Sequence, residues 1–146
     1  MDMMIDYTNC ITNLACSVLR ELGVEPRHNT LAMADEVMKE GYDNVVVILL
    51  DGMGMSILEK NADEKGFLRS HLYGEFHSVY LPTTVSSTTS ALSGLNPSEH
   101  AWLGWDCYYP EIDKNVTVFL NTLTSSEEPA ADYPVAYKLR PYKNVI

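Results

Sequence analysis

Two short stretches carry residues able to do chemistry. In the first, Asp51 closes the apolar run Val45–Leu50 and is followed by Gly52 and Gly54. A carboxylate at the carboxyl end of a strand, with a flexible turn after it, is placed to hold a cation or a polar substrate. The same residues would serve equally as a helix cap and a turn. In the second, Pro82, Thr83 and Thr84 precede a segment rich in Ser and Thr. A hydroxyl in the first turn of a helix meets unpaired N–H groups and the positive end of the dipole, which would stabilise a phosphoryl group. Threonine becomes a nucleophile only when a base or metal removes its proton. A divalent cation shared by Asp51 and Thr84 would do this and polarise the phosphoryl oxygens as well. A plain N-cap role for Thr83 or Thr84 is the alternative.

Several elements must position these groups. The six apolar residues Val45–Leu50 read as a strand buried on both faces, as in a parallel sheet. A second strand is expected over 76–81, ending at Pro82. Ile11, Leu14, Ala15, Val18, Leu19 and Leu22 recur at helical spacing, predicting a helix over 8–22 that stops at Gly23. Cys16 is a small residue of that helix. After Pro26, Asn29 or Thr30 can cap a helix carrying Leu31, Ala34, Val37 and Met38, ended by Gly41. Met55, Ile57 and Leu58 suggest a short helix, and Phe67, Leu68 and Leu72 another segment.

From Thr83 to Gly94, eight of twelve residues are Ser or Thr. Their propensity favours strand or loop. Their small size, with Gly94 as a stop, suits a helix packed closely on a sheet. Residues 98–105 lead into another strand-like run, 116–120 suit a strand, and 125–132 a loop. Helix–strand–helix–strand order predicts an α/β fold, a mostly parallel sheet flanked by helices, in one domain spanning 1–146.

The totals exclude several classes. Net charge is −10, from 20 acidic residues against 10 Lys and Arg, which argues against a nucleic-acid surface or binding to an anionic membrane. A small anionic substrate held through cations stays open. Cys10, Cys16 and Cys107 lack the number and spacing of a disulfide framework or a structural zinc site. No signal peptide or membrane span is legible, so a cytoplasmic protein is expected. Gly52 and Gly54 could open a dinucleotide fingerprint, but Ile57 takes the third glycine position and Asp51 would repel a pyrophosphate.

The run Val45–Gly54, followed by Leu81 to Ala101, resembles the alkaline phosphatase superfamily, and within it the type I phosphodiesterase/nucleotide pyrophosphatase group. The motif tail matches at Ser93, Gly94, Leu95, Pro97, His100 and Ala101. The resemblance implies an alkaline phosphatase-like core and phosphoric ester hydrolysis. Asp51 and Thr84 would ligate one of two divalent metals, and Thr84, with Thr83 as the alternative, would attack phosphorus. Zinc is the metal implied, although one carboxylate and one hydroxyl suit manganese or magnesium equally.

His100 is read as structural rather than as a ligand. Relatives that cleave nucleotides carry a phosphate-binding Asn eleven residues past the motif glycine, where this chain has Trp105. Trp105 is therefore the candidate substrate contact, stacking on a leaving group or simply packing, as Trp102 could. Cys107 lacks the sequence context of a sulfatase nucleophile.

Family members are longer, and their remaining ligands, including an Asp-His pair, lie downstream. His28, His71, His77 and His100 do not supply that set. The expectation is the N-terminal part of a phosphoesterase, inactive alone, acting on a small phosphate ester once the remaining catalytic domain follows it. The rival expectation is a non-catalytic binding or assembly fragment.

Overall fold

The computed structural model describes residues 5–144. Helix α1 spans Ile11–Glu21 and α2 spans Ala32–Met38. Helices α3 and α4 cover Met55–Asn61 and Phe67–Ser70, α5 covers Thr84–Ser93, and α6 covers Pro97–His100. Strands β1 (Asp106–Tyr109), β2 (Lys114–Thr117) and β3 (Thr122–Leu123) follow, and α7 spans Val135–Leu139. Among the described residues no helix is long and apolar enough to cross a membrane.

The three strands form an antiparallel meander in the order β1-β2-β3, with Cys107 opposite Val116 and Val116 opposite Leu123. This overturns the expected α/β fold with a mostly parallel sheet and an alkaline phosphatase-like core. The run Val45–Leu50 forms no strand, and no backbone hydrogen bond joins it to another segment among the described residues. Val46 is 80% exposed and Ile48 77% exposed, and Val47, Ile48 and Leu49 line a small cavity with Ile11, Leu14 and Val18 of α1. The run alternates as a strand would, but a parallel strand exists only with hydrogen-bonded neighbours and helices over both faces. Here α1 stands against one side. The expected strand over 76–81 shrinks to one parallel bridge between His77 and Cys10.

Local expectations fared differently. The apolar stripe of α1 buries Ile11, Ala15 and Val18, and Cys16 is buried beside them. Polar residues of the same helix tie down the chain that follows. Asn13 Nδ2 donates to the Asn29 carbonyl at 2.8 Å, and Ser17 Oγ accepts from the Leu31 N–H at 2.9 Å. The α2 N-cap is consequently Leu31, not Asn29 or Thr30, because Thr30 Oγ1 is engaged with Asp35 Oδ2 at 2.6 Å.

The Ser/Thr segment is helical, packed against α1 rather than on a sheet. Its buried face is Val85, Ser86, Thr89, Ser90 and Ser93, small side chains that let the two helices approach. Gly94 closes it at φ +65°, and a Cβ there would lie 3.1 Å from Leu19 Cδ1. A second apolar cluster joins Val85 and Trp102 to Tyr109, Val116 and Val118 of the meander and to Val135 and Ala136 of α7. Thus α5 is held from both sides, and its N-terminus is presented at a fixed angle.

Candidate active site

Thr83 is the N-cap of α5. Its Oγ1 accepts from the Ser86 N–H at 3.2 Å and donates to the Leu103 carbonyl at 3.1 Å. The cap role and the candidate nucleophile role therefore fall on different residues. Thr84, first in the helix, points its hydroxyl elsewhere: Oγ1 donates to Asp51 Oδ2 at 3.0 Å. The N–H groups of Thr84 and Val85 have no protein partner among the described residues, as expected of a helix's first turn. The helix head thus offers an anion two donors beside a hydroxyl.

Asp51 and Thr84 share the wall of a cavity of about 710 Å³ with Met53, Glu75, Ser78 and Ser87. Ser87 and Thr88 lie one helical turn beyond Thr84, so the 3.6-residue period could have placed them on its face. Ser78 Oγ lies 2.6 Å from Ser87 Oγ and extends this hydroxyl wall across to the neighbouring segment. Nothing local in the sequence marks Ser78 or the second carboxylate, Glu75. Trp105 stands outside the cavity wall, half-exposed, its carbonyl accepting from the Val118 N–H at 2.8 Å. Trp102, by contrast, is core: its indole N–H donates to the Arg140 carbonyl at 2.8 Å.

A zinc, manganese or magnesium ion bound at about 2.1 Å to two oxygens, at octahedral to tetrahedral angles, sets them about 3.0–3.4 Å apart. Asp51 Oδ2 and Thr84 Oγ1, at 3.0 Å, fit as two of its ligands. Among the described residues no group of three or more His, Cys, Asp or Glu side chains gathers into a complete ligand set.

His100 is not part of this site. It is buried, its Nδ1 accepts from the Trp102 N–H at 3.0 Å, and its Nε2 meets Ser90 Oγ at 3.1 Å. An acceptor at Nδ1 obliges the neutral ring to carry its proton on Nε2, so the ring donates to Ser90 and cannot act as its base. Burial, opposed by the charge of Glu99, lowers the His100 pKa to about 4.

No protein-family model, curated protein or solved structure matches the chain.

Proposed function

We propose that the chain is the nucleophile-bearing part of a metal-dependent phosphoesterase. The observation that carries this reading is the 3.0 Å hydrogen bond between Thr84 and Asp51 at the head of α5. In-line attack by Thr84 Oγ1 forms the Thr–O–P bond as the P–O bond to the leaving group breaks, with the hydroxyl proton released to solvent. Asp51 and Thr84 would hold one divalent ion, zinc for preference, whose chemistry is to acidify the hydroxyl and polarise the phosphoryl oxygens. The free N–H groups of Thr84 and Val85 stabilise the charge that develops on those oxygens. Water then cleaves the phospho-threonine and restores the hydroxyl.

The ligands of a second ion, and the cover for the exposed run Val45–Leu50, would come from further polypeptide in a cytoplasmic protein. That same exposed run favours a second reading, an assembly fragment without catalysis.

The test is hydrolysis of bis-p-nitrophenyl phosphate and p-nitrophenyl phosphate with added zinc or manganese. It is run on this chain and on the chain with any C-terminal extension its gene encodes. Turnover that Thr84→Ala abolishes supports the phosphoesterase. Turnover that survives Thr84→Ala moves the attack elsewhere, and none in either form favours the assembly fragment.

A further inference from the structure

Among the described residues, the wall of the cavity around Asp51 and Thr84 includes no Lys, Arg or His. Its charged members are two carboxylates, Asp51 and Glu75. An anion seated at Thr84 therefore depends on a bound cation and on neutral donors in the wall. The helix head offers the N–H groups of Thr84 and Val85. A further neutral donor stands one turn along α5.

Ser87 Oγ lies 2.6 Å from Ser78 Oγ, and neither hydroxyl has another protein partner among the described residues. A helical serine can return its hydroxyl to the carbonyl four residues back, as Ser93 does to Thr89 at 2.6 Å. Ser87 does not. Two hydroxyls carry two hydrogens, and only one of these can lie between the oxygens. Whichever serine donates, the hydrogen of the other is left without a protein acceptor. Both residues are half-buried and line the same cavity as Asp51 and Thr84. Ser87 is three residues beyond Thr84 on α5, so their Cβ atoms are neighbours at about 5–6 Å.

The start of α1 fixes the other half of the pair. The His77 N–H donates to the Asn9 carbonyl at 3.0 Å, and the His77 carbonyl accepts from the Ile11 N–H at 2.9 Å. On the far side of Ser78, Val79 is fully buried with Cys10 and Ile11.

We propose that the Ser78–Ser87 pair is a second anchor for the phosphoryl group, donating its free O–H to an oxygen that the helix N–H groups do not hold. The inference rests on the phosphoryl reading of the Thr84 site. The pair binds and orients the group, and neither serine attacks phosphorus.

The test is calorimetric binding of methylphosphonate to this chain loaded with zinc, since that probe presents phosphoryl oxygens without an ester to hydrolyse. Ser78→Ala and Ser87→Ala should each weaken binding about tenfold, the worth of one hydrogen bond to a charged group. The double variant should be within about twofold of either single one, because the two hydroxyls act as one donor. Ser87→Thr keeps the hydroxyl and should bind within about threefold of the parent. Affinity for zinc alone should not move in any of these variants. Zinc and phosphonate affinities falling in step would overturn the proposal, since a pair that merely braces the helix head would do that. Unchanged phosphonate binding in the serine variants, with a loss in Thr84→Ala, overturns the pair and leaves the Thr84 reading standing. A loss in the serine variants with none in Thr84→Ala overturns the Thr84 reading on which the inference rests. Absence of binding by the parent overturns both.

Discussion

His100 donates a hydrogen bond to Ser90 from inside the helix pair, with 3.1 Å between Nε2 and Oγ. The direction is set on the far side of the ring, where Nδ1 is already taken by the Trp102 N–H. Protonating Nδ1 would set two donors against each other, so the folded protein resists it beyond the cost of burial.

That resistance makes stability depend on pH. The folded pKa is lowered to about 4 from an ordinary 6.5. The unfolded chain therefore binds the proton first, and stability present above pH 6.5 is lost as pH falls toward about 4. The loss is at most about 3 kcal/mol. Urea denaturation at pH 7, 6 and 5 checks it, using His100→Asn as control, because Asn keeps an acceptor for Trp102 but does not titrate. The variant should start less stable by about 1–3 kcal/mol and decline less steeply over this range. Parallel declines in the two proteins would exclude His100 as the source.

Gly94→Ala should destabilise the chain by about 1–2 kcal/mol, because the left-handed backbone at φ +65° is strained for any residue with a Cβ. The added carbon would also press on Leu19 at 3.1 Å, although that methyl can swing aside. Gly54→Ala is the comparison: its φ is −85° and nothing lies within 4 Å of a Cβ. Thermal melts should separate the two, with Gly54→Ala within about 0.5 kcal/mol of the parent.

An exposed apolar residue of Val45–Leu50 and a buried one of α5 should respond unequally to substitution. Ile48→Lys, at a side chain 77% exposed, should change stability by less than about 0.5 kcal/mol. Val85→Ala, at a fully buried position, should cost about 1.5–3 kcal/mol. A loss of several kcal/mol on Ile48→Lys would mean that the run is buried after all.

These contrasts show where the sequence was legible. Helix α1 and its burial of Ile11, Ala15 and Val18 followed from a period of 3.6, which is local information. So did the end of α5 at Gly94, and the presence of a cap at Thr83 or Thr84. The α2 cap falls at Leu31 instead, and Thr30 Oγ1, which could have formed it, is taken by Asp35 and Arg20. The strand at Val45–Leu50 was misjudged for a related reason. A continuous apolar, β-branched run describes what a segment would do beside neighbours, and says nothing about whether neighbours exist.

The sequence by itself determined α1, its stop at Gly23 and the small-residue composition and Gly94 stop of the Ser/Thr segment, because each depends on residues within a turn or two; it did not mark α6 or α7. Only the tertiary structure decided that the sheet is an antiparallel meander and that Val45–Leu50 stands unpaired. It also decided that Asp51 and Thr84, 33 residues apart, meet at 3.0 Å while Trp105 stays outside their cavity. Strand partners and side-chain meetings of that kind are long-range facts. They arise from how α1, α5 and the meander pack together, and no window of sequence contains them.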